Sequence, residues 1–315
     1  MLAPEEIARS HQREQRGIIL SVIAAILGLW RRLDRDRLTQ SWQAGIGPSI
    51  VEMMARAQLQ AAVAAPVYLR ELAAAQNIVM PDLEVVPESL SGVASDGRPL
   101  ESLLYQPIIA FKRLLADGVP ADEAMRRATA GMTMIAATQA ADAGRTAVDA
   151  GMTANKRWVS YVRVVTLPAC SRCIVLAGKV YSHSTGFQRH PACDCGMMPV
   201  TSENVDVASP RALFEQMSAA EQAKAFTSAG AESMRLGADV GQVVNARRGM
   251  QTAGGKLVTT EGTTRRGVAG RRVGSGSRRK APVRLMPEQI LKDAGGDRAE
   301  AIRLLERFGY LRRTS

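Results

Sequence analysis

The chain has 315 residues, 46% of them apolar but only 4% aromatic, and a formal charge of +11. That is enough apolar material for two domains, or for one domain with an extended arm, and a load carried by Ala, Met, Leu and Ile favours helix over sheet. The charge excludes a generally cationic fold: "RRGVAGRRVGSGSRRKAPVR" at 265–284 holds seven Arg, one Lys and no acid, a net +8 that leaves the remainder near neutral at +3.

The first region, 1–76, reads as helical. Pro4 with Glu5 and Glu6 suits a first turn, where the helix dipole favours negative charge. The helix is expected to run on through Trp30 and Leu33. Its "GIILSVIAAILGLW" (17–30) is apolar for 14 residues, short of the roughly 20 that span a bilayer. "WRRLDRDR" follows it, where a signal peptide would need a small-residue cleavage site. The stretch therefore reads as a buried helix or an assembly interface, and no other stretch is a candidate membrane span. A second helix is expected from about Ser49 to Gln76, kinked or split at Pro66. Its many small residues permit close helix–helix approach and self-association.

The second region, 77–155, opens with a long connection at 77–105 that has three prolines and an Asp-Gly turn signal. A helix follows at about 106–117, ended by Gly118. Another is expected with Pro120 at its first position, running to about Ala150. In the third region, 156–250, the period changes. "RWVSYVRVVTL" (157–167) is rich in aromatic and β-branched residues and reads as a strand, with "KVYSH" (179–183) as its partner in a small hairpin. Several short helices follow, and Ser218 with Glu221 is spaced for a capping box. Residues 251–284 are rich in Gly, Thr and Arg with little to bury, and read as a flexible arm. The last region, 285–315, reads as two short helices with Leu291, Ile302, Leu304, Leu305 and Phe308 on the apolar face. There is no internal repeat.

All four cysteines and two of the three histidines fall in "PACSRCIVLAGKVYSHSTGFQRHPACDC". The pattern is C-x2-C, sixteen residues, then H-x2-C-x-C, giving Cys170, Cys173, His190, Cys193 and Cys195. A close pair on one turn and a second close pair across a hairpin meet the tetrahedral demand of zinc for thiolate and imidazole ligands. Five candidates compete for four places, with Cys170 and Cys173 as the surest pair and His183 as a weaker sixth. Two disulfides, or four reduced buried thiols, are the alternatives, and the tight clustering favours the metal. H-x-E and H-E-x-x-H are absent, as are the P-loop, the G-x-S-x-G elbow and the dinucleotide glycine pattern. Asp194 is the one acid inside the cluster. The expectation is therefore a structural zinc and no enzyme. The expected fold class is mainly α with a small α+β zinc-clipped hairpin module, an extended helical N-terminal region and a basic C-terminal arm.

The arm offers Arg265, Arg266, Arg271, Arg272, Arg278, Arg279, Lys280 and Arg284. A polycation interrupted by Gly and Ser binds double-stranded DNA without sequence preference, through phosphate neutralisation. It carries no aromatic residue for base stacking. A docking strip for an acidic protein and a bare linker are the alternatives.

"VRVVTLPACSRCIVLAGKVYSHSTGFQRHPACDCGMMPV" resembles the core of the phage Mu F-like minor head (head morphogenesis) proteins, in the version found in actinobacteriophages. The likeness is carried by the C-x-x-C of Cys170 and Cys173, the Gly178-Lys179-Val180-Tyr181 turn, and His190-Pro191-Ala192-Cys193-Asp194-Cys195. Softer likeness extends over 95–315. The resemblance implies a minor structural protein of a tailed-phage head, acting in head assembly or genome packaging and delivery. It implies the portal or the major capsid protein as partner, and a place in the virion interior after assembly in the host cytoplasm. The alternative is a zinc-ribbon DNA-binding protein of non-virion function, which leaves about 150 preceding residues of helix unexplained.

Overall fold

The computed structural model describes residues 2–201, 207–263 and 283–312. The chain forms two compact units, 1–166 with 178–207, and 167–177 with 208–315. Each is described by itself.

The first unit is built on three long helices that pack on one another: α1 (Pro4–Trp30), α3 (Gly47–Ala75) and α6 (Ala121–Ala154). A short helix α2 (Leu38–Ser41) and a π turn (Trp42–Ile46) lead into α3. Helices α4 (Leu100–Leu104) and α5 (Gln106–Ala116) precede α6. Pro4 and the two glutamates open α1, as their chemistry dictates. Pro120 turns out to be the N-cap of α6, one residue outside the helix. Pro66 neither splits nor ends α3. Burial of Ala62, Ala65, Tyr68 and Leu69 around it anchors the helix on both sides, and packing outweighs the lost N–H. The apolar run of α1 is spent inward, with Ile19, Val22, Ile26 and Trp30 buried. Among the described residues no helix is long and apolar enough to cross a membrane.

Small side chains set the spacing of these helices. Ala61, Ala62 and Ala65 on α3, and Ala136, Ala140 and Ala147 on α6, are almost wholly buried. At Gly151 of α6, an added Cβ would lie 2.3 Å from Leu69 Cδ1 on α3. Replacing Gly151 by Val should destabilise the protein by about 1–3 kcal/mol through overpacking, which denaturant unfolding would read.

The connection at 77–99 is held by side chains on the long helices rather than by its own core. Gln58 donates to Val93 O (2.8 Å) and accepts from Gly92 N (2.9 Å), while Gln139 accepts from Ser95 N (2.8 Å). Beyond α6 lies a three-stranded antiparallel sheet in the order β2-β1-β3, from β1 (Ser160–Val164), β2 (Val180–Ser182) and β3 (Gly196–Val200). The β1–β2 hairpin matches the sequence expectation, with Tyr161 opposite Tyr181. Strand β3 was not expected. It pairs with β1 alone, and its Pro199 is tolerated there because an edge strand has one face of the ladder without a partner. Trp158, Tyr161, Val162 and Val164 join Tyr68, Leu72 and Met152 in one core cluster.

Within that cluster His11 of α1 stacks on Tyr68, with ring centroids 4.2 Å apart. Burial pushes its pKa from 6.5 down to about 4. In the unfolded chain His11 takes its proton near pH 6.5, so below that pH the unfolded state binds more protons than the fold. Stability is thus full above pH 6.5 and falls as the pH drops towards 4, by about 3 kcal/mol. His11→Phe keeps a ring on Tyr68 and should flatten the stability curve in that window relative to wild type, as urea titrations at several pH values would show.

The second unit strings together short helices, most of them with a side-chain N-cap. They are α7 (Ser171–Leu176), α8 (Pro210–Gln216), α9 (Ala219–Phe226), α10 (Ser228–Arg235), α11 (Val240–Ala246), α12 (Pro287–Ala294) and α13 (Arg298–Arg307). Ser209, Thr227, Asp239 and Asp297 cap α8, α10, α11 and α13. The capping box of Ser218 and Glu221 is present on α9. Part of the expected arm is a sheet. β4 (Met250–Ala253) and β5 (Lys256–Thr259) form a hairpin, with β6 (Arg284–Leu285) beyond β5. Its two-residue turn is Gly254-Gly255, both at positive φ, which is the hairpin chemistry that other residues resist. In the C-terminal pair Leu304 and Leu305 are buried as expected, but Leu291, Ile302 and Phe308 are half-buried, and Ile290, Ala294, Ala301 and Tyr310 fill the core instead.

Candidate metal centre

Cys170 is the N-cap of α7 and Cys173 sits in its first turn, so the C-x2-C spacing presents both sulfurs together. His190, Cys193 and Cys195 lie on the irregular stretch between β2 and β3. No disulfide joins any of the four cysteines. The ligand atoms of Cys170, Cys173 and His190 lie within 4.8 Å of one another, and so do those of Cys173, Cys193 and Cys195. Both groups are candidate metal sites, and Cys173 belongs to both. Cys173, Cys193 and Cys195 are buried, His190 is half-buried and Cys170 is exposed. His183 joins neither group; its Nδ1 lies 3.0 Å from Val159 O.

The stretch carrying Cys193 and Cys195 is braced by side chains from α1 and α6. Thr138 Oγ1 accepts from Ala192 N (2.9 Å), and Arg145 Nη1 donates to Cys193 O (2.9 Å) and Cys195 O (3.2 Å). Gln12 Nε2 donates to Asp194 O (3.0 Å). The Asp194 carboxylate is engaged by Arg16, with Nε at 2.6 Å, so the cluster's one acid serves as an anchor. Arg163 of β1 completes the surround. Its guanidinium lies 4.1 Å over the Phe187 ring, and its Nη1 lies 4.0 Å from Cys193 Sγ. Burial works against the Arg163 charge, but Cys195, Cys193 and Tyr181 nearby, with a hydrogen bond to Cys195, together hold its pKa up.

This donor set fits a thiophilic metal ion. Three clustered thiols are well suited to hold a divalent cation as thiolates, and a neighbouring guanidinium offsets the net negative charge that results.

Residues 1–220 match the family described as VG15 protein. The chain belongs to that family. VG15 is a family of viral (phage) gene products, and the match spans all five candidate ligands and the helices that brace them. No curated protein and no solved structure matches the chain.

Sequence spacing located the five ligand candidates of this VG15 chain but none of their braces. Thr138, Asp142 and Arg145 are remote from the cysteines in the chain. A signal for them exists: in "AATQAADAGRTAV" Gln139, Asp142 and Arg145 recur every third residue in an otherwise small and apolar run. That spacing stacks them along one face of the helix, where polar groups must have partners. Of the basic arm, the residues from Arg265 to Lys280 named above lie outside the described residues. Arg284 departs from the expected solvent-facing contact. It is buried in β6, 4.1 Å over the Tyr310 ring, and its Nη1 donates to Phe308 O (3.2 Å).

Proposed function

We propose that this VG15 chain is a minor structural protein of a tailed-phage head. In this reading it carries a structural zinc on Cys173, Cys193 and Cys195, completed by Cys170 or His190, and acts near the portal or the inner capsid surface with its basic arm on the packaged DNA. The observation that carries the reading is the phage-family match over 1–220, taken with the Mu F-like pattern of ligands inside it. In this reading the role is structural: the Asp194 carboxylate is tied up in an ion pair with Arg16, and His190 is a candidate ligand. Bound zinc would supply a rigid tie in a region whose ligand-bearing stretch has little sheet of its own.

Two measurements test this. Elemental analysis of the purified chain should give about one zinc per chain. Protein mass spectrometry of mature particles should find the chain at low copy. Absence from particles, together with tight sequence-specific binding to short duplexes, would favour the zinc-ribbon regulator instead.

A further inference from the structure

We propose that the Cys193–Cys195 half of the metal centre is assembled before any metal arrives, with Arg145 as its positioning residue and Asp142 as the anchor of Arg145. The inference rests on the metal reading of the cluster and adds the means by which its geometry is set.

Residues 191–195 belong to no helix or strand, and Ala192 holds a φ of 57°, a conformation that non-glycine residues seldom adopt. Such a stretch keeps its shape only when its surroundings determine it. Here four consecutive residues, 192–195, are each tied to a long helix: Ala192 N to Thr138, Cys193 O and Cys195 O to Arg145, and Asp194 to Gln12 and Arg16. Arg145 is the centre of this arrangement. One nitrogen, Nη1, serves the carbonyls on either side of Asp194, which fixes the two cysteine backbones relative to each other. The other, Nη2, donates to Asp142 Oδ1 at 2.6 Å. Asp142 also accepts from Arg189 Nε at 2.9 Å, so the residue just before His190 is tied to the same carboxylate. Arg145 and Asp142 are both buried, at 8% exposure each.

A buried Arg–Asp pair, here Arg145 with Asp142, is a poor source of stability, because desolvation offsets most of the attraction. Its placement suits a different task. Ligands held in position before binding lose little conformational freedom when the ion arrives, and the affinity rises accordingly. Outer partners of metal ligands act in this way, and their loss costs about 10- to 100-fold in metal affinity. Lysine could not replace Arg145, since one ammonium cannot reach two carbonyls and Asp142 in this geometry.

The test uses the full-length chain with two readouts. The first is zinc affinity by competition with a chromophoric chelator. Arg145→Met and Arg145→Lys should bind zinc about 10- to 100-fold more weakly than wild type, and Asp142→Asn should weaken it in the same direction. Val148→Ala, on the same helix, should lower thermal stability and leave zinc affinity unchanged. The second is hydrogen exchange of the amides of residues 192–196 in chelator-treated protein. Wild type should protect them without metal, and Arg145→Lys should lose that protection while the helices stay protected. Unprotected amides in metal-free wild type would overturn preassembly whether or not zinc binds. Wild-type zinc affinity in both Arg145 variants, or an equal loss in Val148→Ala, would overturn the role of Arg145. A wild-type chain that binds no zinc but keeps the 192–196 amides protected would sink the metal reading and leave the brace standing.

Discussion

If the cluster holds zinc as proposed, Cys173→Ala should strip the chain of it. Zinc content of the purified variant should fall from about one ion per chain to near none. Cys170→Ala and His190→Ala should each retain a measurable share, because each enters only one of the two ligand groups, whereas Cys173 enters both. The effect on stability should be large. Structural zinc contributes about 10–16 kcal/mol in small zinc-finger peptides at neutral pH, and metal binding is folding free energy wherever the site does not exist in the unfolded chain. Part of that loss will be softened here, because α1 and α6 brace the Cys193–Cys195 stretch without help from an ion. Thiol titration gives a second view. Exposed Cys170 should react slowly in native wild type until a chelator is added and without it in Cys173→Ala, while Cys193 and Cys195, buried and braced, stay slow in both. A variant that keeps its full zinc content and a slow Cys170 would show that Cys173 is not a ligand.

The same cluster shows what the sequence could and could not disclose. Close spacing exposed the ligands because Cys170 and Cys173 share one turn, and because Cys193 and Cys195 lie two residues apart. Their braces were hidden because Gln12, Arg16 and Arg145 meet the 193–195 stretch only after the long helices have packed, 48 residues or more away in the chain. Long helices were legible from composition, since Ala, Leu, Met and Gln favour helix whatever the tertiary setting. Pro66 shows the complementary case: local chemistry favours a break, yet with the residues flanking it buried α3 is not split there. The β4–β5 hairpin misled through its neighbourhood. Gly254-Gly255 between two short runs is a two-residue turn, but it adjoins a Gly- and Arg-rich tract and so reads as part of the arm. Arg284 shows the limit of counting charge. It is the last cation of the basic tract, yet it lies under Tyr310 in the core of its own unit.

That burial sharpens the prediction for the arm. If the tract contacts DNA, seven cations remain available: Arg265, Arg266, Arg271, Arg272, Arg278, Arg279 and Lys280. Each neutralised phosphate contributes about −0.9 to the slope of log affinity against log salt. Full engagement of the seven therefore gives a slope of about −6, and a loss of roughly a thousandfold or more in affinity between 50 and 200 mM salt. Changing all seven to Gln should abolish that dependence and reduce binding to duplexes of any sequence alike. Arg284 must be spared in that variant. Its guanidinium bonds Phe308 O and packs on Tyr310, so its removal would leave a part-buried carbonyl without this donor and a hole beneath a buried ring. Arg284→Gln alone should accordingly lower the melting temperature of its unit and leave the salt slope unchanged. The pair of variants separates the two roles. A flat salt dependence in wild type, or a seven-Gln variant that binds DNA as wild type does, would remove DNA as the partner of the tract. A steep slope that vanishes with the seven and survives Arg284→Gln would confine DNA contact to the residues between Arg265 and Lys280.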